Sequence, residues 1–437
     1  MFIRLTHSVN GIMSDATVTL GITGVGHRGT SLLRNCAAME DVRIRAVCDL
    51  QERRLDAAQH TLEEFQQPAP DRYTDHSQMV SEADLDGVII ATSWRQHIPF
   101  AIEAMEAGLW AAMDVGPASS LEECWELVQT SQETSQQCML LENCCFRREP
   151  LSVLNMARDG VLGDLVHTEC GYCHDLRPRL NATIGTSREE TSIPMKNDRY
   201  YRSIHHEKRN GDLYPTHGVG PMAKCLDINQ GNRFVSLSSH ASKAAGLRDW
   251  GDRHLPDDHP NRDIDWSHGD IITTVLTCAN GQTCTITHDV SLPRPDNSKR
   301  YCVRGTRGMW QDERDSIYID DRGPDHEWEP AETYIDEYEH ELWREYRNAG
   351  IEAGHGGSDY LVLRSFVRSI AQDVRPPIDV YDAATWMAIA PLSEDAIATG
   401  DTVAFPDFTD GNWLTDEPIF GLTGEVAEDR LSFSTLL

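Results

Sequence analysis

The sequence predicts an α/β chain in two parts. A doubly wound parallel sheet comes first, followed by an α+β half built on a large, open, mainly antiparallel sheet. Three observations predict it. The β-branched apolar run Val18–Thr23 leads into the glycine-rich stretch GVGHRG at 24–29 and then into a helical pattern over 30–38. Apolar strands and helical patterns alternate as far as residue 150. Beyond it, alternating strand patterns dominate, and helical ones return only towards the C-terminus.

Strand, G-x-G-x-x-G and helix make up the dinucleotide fingerprint of a Rossmann domain. Gly24 permits the tight turn, Gly26 lets a pyrophosphate approach the backbone, and Gly29 lets the helix lie close to the strand. The open N–H groups and positive dipole end of that helix receive the phosphates. A second strand, 43–48, ends in Asp49, twenty residues after Gly29. A carboxylate there reaches the ribose hydroxyls and favours NAD over NADP. Arg53 and Arg54 fall on the solvent face of the following helix. NAD(H) is the cofactor these residues predict.

The first half continues with a polar helix over 51–65, a short segment from Tyr73, and a helix near 77–82. Residues 85–91 form a near-continuous apolar strand, as inside a parallel sheet. Trp94, Arg95, Gln96 and His97 form a turn at its carboxyl end, before a helix over 98–107. A strand at 109–114 ends in Asp114 and Val115, a helix covers 121–134, and a strand at 138–142 ends at Asn143. Each strand end thus delivers residues to the crevice where open α/β sheets bind ligands. The domains expected are an N-terminal extension at 1–15, an NAD-binding domain at 16–150, and an α+β substrate and oligomerisation domain at 151–437. The C-terminal helices of the last pack back on the first.

With 39 Lys+Arg against 70 Asp+Glu, the 437-residue chain carries a net charge of −31, spread along its length. So acidic a surface repels phosphate backbones and anionic membranes, so neither nucleic acid nor membrane is an expected partner. No apolar run approaches the ~20 residues of a membrane helix, and residues 1–15 lack the pattern of a secretion signal. A cytoplasmic location is expected. The twelve cysteines lack the spacing of a disulfide framework. The single C-x-x-C, Cys170 with Cys173, lies on a strand, where positions i and i+3 face opposite sides. These cysteines read as reduced, small apolar residues.

In the second half, residues 165–174 place Thr168, Cys170, Tyr172 and His174 on one strand face. Further strands are expected at 234–240, 271–278, 282–290 and 301–305, and helices at 334–348, 359–372 and 383–399. The stretch 210–221 carries Tyr214, Pro215, Thr216 and His217 ahead of a helix expected at 219–226. At that helix start the dipole lowers the His217 pKa and keeps the ring near neutral, poised for proton transfer. A satisfied loop histidine accounts for the same spacing equally well. Arg199, Tyr200, Tyr201, Arg202, His205 and His206 bring cations and aromatics suited to a carbohydrate or anion pocket. His205, His206 and His217 are ligand types, but no paired carboxylate or helical H-x-x-x-H accompanies them, so no metal is predicted. His355 stands at another helix start and is available to the crevice; capping there by Ser358 or Asp359 is the equally good alternative.

These pieces together resemble the Gfo/Idh/MocA oxidoreductase superfamily: GVGHRG, the 94–97 turn, Asp114-Val-Gly-Pro117, Glu142-Asn143, the strand bearing Tyr172, Tyr200-Tyr-Arg-Ser203, Tyr214-Pro-Thr-His217 and His355-Gly-Gly. Within it the chain is most similar to the NAD-dependent α-N-acetylgalactosaminidases of glycoside hydrolase family 109. The resemblance implies cofactor contacts at Gly24, Gly26, His27, Arg28, Gly29, Asp49, Trp94, Arg95, Gln96, His97, Asp114, Val115, Asn143 and Tyr214. It implies substrate contacts at Tyr172, Arg202, Tyr214, Pro215, Thr216 and His217. The implied chemistry is transient oxidation of the sugar at carbon 3, elimination across carbons 2 and 1, water addition and re-reduction. Tyr172 would act as base at carbon 2, His217 would move a proton to the leaving oxygen, and Tyr214 would stand near the carbon-3 hydroxyl. A glycan or small glycoside is the implied substrate. A homo-oligomer is implied through the exposed face of the second sheet.

Two departures stand out. Dehydrogenases of the superfamily carry a catalytic lysine in a Glu-Lys-Pro turn, which here reads Val115-Gly-Pro117 after Asp114. The family's sugar-contacting tyrosine follows a Pro-Arg-Pro run; here Pro293-Arg-Pro295 is followed by Asp296 and Asn297, with Tyr301 the nearest aromatic. A conventional NAD-dependent sugar or polyol dehydrogenase is the alternative reading. A sugar-sensing protein without catalysis is the third.

Overall fold

The computed structural model describes residues 17–181, 201–349 and 354–418. The extension at 1–15, the residues Arg199 and Tyr200, and the side chain of His355 lie outside the described residues. Six strands align in parallel in the first half: β1 (Val18–Thr23), β2 (Val42–Cys48), β3 (Asp71–Tyr73), β4 (Gly87–Ile90), β5 (Trp110–Met113) and β6 (Cys138–Leu140). Their order is β3-β2-β1-β4-β5-β6, so the winding reverses between β1 and β4. A crevice opens beyond the strand ends at such a reversal. The central strands are buried on both faces, with Leu20, Ile22, Val88, Ile89 and Ile90 fully enclosed, which is why they read as continuous apolar runs.

One element of this half differs from expectation. Trp94–His97 is not a turn but the first turn of the helix Trp94–Glu106, with Ser93 at its N-cap. Pro99 suggests a helix start in the sequence, yet it lies inside the helix. The preceding residues wind as well because Trp94 and His97 bury their rings beneath the crevice.

The described residues of the second half form nine strands: β7 (Leu165–Cys173), β8 (Phe234–Ala241), β9 (Ile271–Cys278), β10 (Thr283–Asp289), β11 (Cys302–Gly305), β12 (Gly308–Gln311), β13 (Ser316–Ile319), β14 (Glu329–Pro330) and β15 (Val403–Ala404). They are ordered β14-β13-β12-β11-β7-β10-β9-β8-β15. Only β7 and β10 run parallel; the other neighbours are antiparallel. Buried and half-exposed residues alternate strictly along β9, so one face looks inward and the other outward. β12 to β15 escape a sequence reading because two to four residues are too few to establish an alternation.

The helix expected at 334–348 is two, Ala331–Glu337 and Glu341–Ala349. Between them Glu339 leaves the helical path and meets both Arg148 and Arg347. Helices at Tyr201–Lys208 and Gly246–His254 were not expected. Their sequences are polar on average and rich in histidine and arginine, and both are short.

Helix Thr216–Cys225 lies across β7 and the short turn Asn143–Phe146. Helix Ser358–Gln372 returns to the first half and packs on helix His27–Ala37. Helix Val380–Thr399 is apolar on nearly every side and sits enclosed between helix Leu121–Thr134 and β8. All twelve cysteines are buried and free. Cys170 and Cys173 do diverge: the first meets Cys284 at 3.9 Å, the second faces the Thr287 carbonyl at 3.8 Å. Burial pushes thiols such as Cys36 up to about 12, which leaves them unreactive. No helix among the described residues is long and apolar enough to cross a membrane.

Candidate active site

The crevice fits a dinucleotide. Gly24 turns with φ of +86°, and a Cβ on Gly29 would lie 1.8 Å from the Gly24 carbonyl oxygen, so strand and helix meet as closely as the motif requires. Gly26 caps helix His27–Ala37 with no side chain over its end, which leaves that end open to phosphate. Asp49 is buried, accepting from the backbone N–H of Val25 at 3.1 Å and of Gln51 at 3.0 Å. Arg54 does not keep to the solvent face, as expected, but folds back to 3.4 Å from Asp49, drawn by its charge. Arg53 stays outside and donates to Gln51.

Across the crevice, Arg28 donates to Asp114 at 3.1 Å and to Asp359 at 2.6 Å, and Asn143 donates to the other oxygen of Asp359 at 2.7 Å. Asp359 is fully buried. It arrives from the far end of the chain and joins β5, β6 and the glycine loop, a task that a reading of it as a helix cap misses. The Asn143 Oδ1 is buried without a partner and is open to a cofactor amide. Val115, the residue after Asp114, is buried, whereas His27, Arg95 and Gln96 are exposed at the crevice rim. His97 is not at the rim. It is buried, contacts the Thr92 carbonyl at 3.2 Å, and is lowered in pKa by burial, so it supports the loop rather than facing a ligand.

The missing lysine has a structural counterpart. A Cβ on Gly116 would stand 2.5 Å from Cδ1 of Trp94, so the indole ring fills the space a side chain would need there. Gly116→Ala is therefore expected to destabilise the protein by about 1–3 kcal/mol in denaturant unfolding, through overpacking. An unchanged unfolding midpoint would contradict this packing.

Trp94 joins the crevice to the second group of residues. Its ring centroid lies 5.6 Å from Tyr214, 5.6 Å from Tyr201 and 5.1 Å from His205, and the Arg202 guanidinium stacks at 4.7 Å. Arg202 also lies 4.9 Å from the Tyr214 ring. It is buried and pairs with no carboxylate among the described residues; the rings of Trp94 and Tyr214 and the Tyr201 side chain face its charge instead. Tyr172, from β7, stacks 4.2 Å from Tyr214 and 5.8 Å from His217. Tyr214 and His217 are 4.9 Å apart. Pro215 caps helix Thr216–Cys225, and Thr216 is fully buried as its first residue. The expected cluster of Tyr172, Arg202, Tyr214 and His217 thus assembles around one point.

His217 corrects an expectation. Its Nδ1 lies 2.7 Å from Glu142, a carboxylate with no exposed surface, while the ring itself keeps 16% exposure. Burial opposes a charge on the imidazole, but the Cys144 sulfur and the Glu142 carboxylate outweigh it and raise the pKa to about 10. Glu142 is correspondingly lowered: burial works against its charge, and His217 overcomes it. The helix dipole is too weak against a carboxylate in contact. The raised pKa suits His217 to act as an acid rather than a neutral relay.

Lys299 is another residue the sequence did not single out. Its Nζ lies 4.4 Å from the centre of the Tyr172 ring and donates to His174 at 2.8 Å. Burial and Lys299 hold His174 at about 3, so it is a neutral acceptor. Asp296 and Asn297 are exposed, and Tyr301 is fully buried, donating its hydroxyl to the His217 carbonyl. Tyr301 therefore braces His217 and faces no sugar. The trio His205, His206 and His217 does not converge: His205 faces Trp94, His217 faces Glu142, and His206 turns to His268.

Two family models match the chain. One, the oxidoreductase family with an NAD-binding Rossmann fold, covers residues 18–141; the other, the C-terminal domain of glycosyl hydrolase 109, covers 146–415. An α-N-acetylgalactosaminidase of Tannerella forsythia is 39% identical over 421 residues, spanning 94% of this chain and 90% of that protein. A glycosyl hydrolase family 109 protein of Stenotrophomonas maltophilia is also 39% identical, over 93% of this chain and 92% of its own. Among solved structures, a levoglucosan dehydrogenase in complex with NADH and levoglucosan shares the fold with a TM-score of 0.65 and 18% identity, over 89% of this chain and all of that one. A myo-inositol 2-dehydrogenase of Lactobacillus plantarum does so with a TM-score of 0.62 and 14% identity, over 89% and 99%. With an NAD-binding Rossmann half joined to that C-terminal domain, the chain belongs to glycosyl hydrolase family 109 of the Gfo/Idh/MocA oxidoreductases.

Proposed function

We propose that the protein hydrolyses α-N-acetylgalactosaminides or related glycosides with NAD held in the crevice, by oxidation at carbon 3, elimination, water addition and re-reduction. The observation that carries this reading is the convergence of Tyr172 with an imidazolium, His217, on the cluster that Trp94 joins to the crevice. Gly24, Gly26, Gly29, Asp49, Asn143 and the end of helix His27–Ala37 would hold the dinucleotide. When bound, it accepts and returns a hydride, so the sugar undergoes no net redox change.

The residues divide the remaining work. Tyr172 takes the carbon-2 proton, and the cations Lys299 and Arg202 near its ring stabilise the developing negative charge. His217, already protonated, donates to the leaving oxygen, and Glu142 holds its Nδ1 so that Nε2 is the donor. Tyr214, packed against both Trp94 and Tyr172, stands where the carbon-3 hydroxyl must meet the nicotinamide side. Arg202 offers a buried cation to the oxygen-rich sugar. Among the described residues no pair of carboxylates flanks the cluster as in ordinary glycosidases. The relative from Tannerella forsythia, an α-N-acetylgalactosaminidase by name, points to the sugar class.

The test is turnover of p-nitrophenyl α-N-acetylgalactosaminide in D₂O by the protein as isolated. Nitrophenol release with deuterium at carbon 2 of the sugar, and no accumulation of NADH, is the expected result. Hydrolysis without deuterium would discard the elimination route. NADH accumulation from free sugars, without glycoside cleavage, would establish the dehydrogenase alternative.

A further inference from the structure

Behind the cluster, three histidines from separate segments face one another in the interior. His206 comes from helix Tyr201–Lys208, His268 from the loop before β9, and His288 from β10, each nearly inaccessible to solvent. Their ring centroids are 4.6 Å apart for 206 and 268, and 5.1 Å for 268 and 288. One nitrogen from each lies within 4.8 Å of the others.

The hydrogen bonds on the outer side fix two of the tautomers. His206 Nδ1 stands 3.1 Å from the Arg202 carbonyl, and His268 Nε2 stands 2.9 Å from the Gly211 carbonyl. A carbonyl only accepts, so both of these nitrogens carry hydrogen. Nε2 of His206 and Nδ1 of His268 are then bare lone pairs, buried and without a partner. His288 has both ring nitrogens buried without a hydrogen-bond partner, with Nδ1 3.4 Å from the buried carboxylate of Asp212. Asp212 Oδ2 is likewise buried without one.

Two bare lone pairs and an imidazole with neither nitrogen hydrogen-bonded meet in the interior. A divalent cation accepts from all three, and the outer carbonyls and carboxylate are the partners that metal-bound histidines use to fix their rings. Zn–N bonds of about 2.0–2.1 Å set tetrahedral nitrogens about 3.4 Å apart, so no pair has to close by more than about 1.5 Å. Three neutral imidazoles with a carboxylate behind them suit Zn²⁺ better than Mg²⁺ or Ca²⁺, which prefer oxygen.

We propose that His206, His268 and His288 form a buried zinc site, with Asp212 orienting His288. Its place in the fold gives it a positioning role. His206 lies one helical turn after Arg202, Asp212 lies two residues before Tyr214, and His288 pairs in register with Tyr172. One ion would hold the helix that carries Arg202 against β10, the strand beside the one that carries Tyr172.

The test uses the full-length protein, stripped with a chelator and titrated with Zn²⁺ and with Co²⁺ as a spectroscopic probe. About one equivalent is expected to bind and to raise the thermal midpoint. Co²⁺ should give the visible bands of a four-coordinate nitrogen and oxygen site with no sulfur-to-metal band. His268→Gln and His288→Gln should weaken binding by more than about 100-fold, and Asp212→Asn by about 10–100-fold. Failure of the wild type to bind would overturn the proposal. So would a sulfur-to-cobalt band, or binding that survives His268→Gln and is lost in Cys144→Ser, since either would move the ion to Glu142, Cys144 and His217. Should the histidine variants fail to fold, the wild-type cobalt spectrum decides by itself.

Discussion

Tyr172→Phe is expected to lower kcat by about 10²–10⁴-fold, the range for loss of a general base, while NAD stays bound. The substitution removes one oxygen and keeps the ring, so the contacts of Tyr172 with Tyr214 and with Lys299 persist. Fold and sugar binding should therefore change little, and the loss should fall on kcat rather than KM. Proton abstraction has its own signature. In D₂O the native protein should wash deuterium into carbon 2 of the released sugar, and the variant should not. Near-normal turnover in Tyr172→Phe would remove the base from this position.

Glu142→Gln is expected to move the alkaline limb of kcat/KM down from near pH 10 by at least about one pH unit, with activity lost first at the alkaline end. The sign follows from the two opposing influences on His217. Burial favours the neutral ring, whereas Cys144 and the Glu142 carboxylate favour the charged one and carry the group to about 10. A general acid must hold its proton, so the native protein stays competent until the pH rises through that value. Glutamine retains the volume and an oxygen to accept from Nδ1 but brings no charge. With Cys144 alone left to oppose burial, the ring loses its proton at a lower pH than in the native protein. A profile unchanged by the substitution would show that Glu142 does not set the protonation of His217. A uniform loss with no displacement of the limb would make Glu142 structural only.

Much of the first half was legible in the sequence because its signals are local. A glycine at positive φ, a strand enclosed on both faces and an acidic residue at a strand end each leave a mark within a few residues. Strands β7 to β11 were legible too, since a sheet with one inward face imposes a period of two. β12 to β15 were not, because such short strands exist only through their neighbours in the sheet. Helix Trp94–Glu106 was expected only from residue 98, because the burial of Trp94 and His97 that winds the first turn leaves no local mark.

In the candidate site, the sequence by itself determined which residue types arrive at the strand ends and in the Tyr214–His217 segment. It also determined that no lysine stands before Pro117. Only the tertiary structure decided their states. Glu142 lies 75 residues before His217 and sets its charge; Asp359 lies 331 residues after Arg28 and anchors it; Lys299 crosses to a ring 127 residues away. Charge, tautomer and proton affinity depend on what stands within a few ångströms in a medium of low dielectric, and those neighbours are set by folding rather than by spacing along the chain.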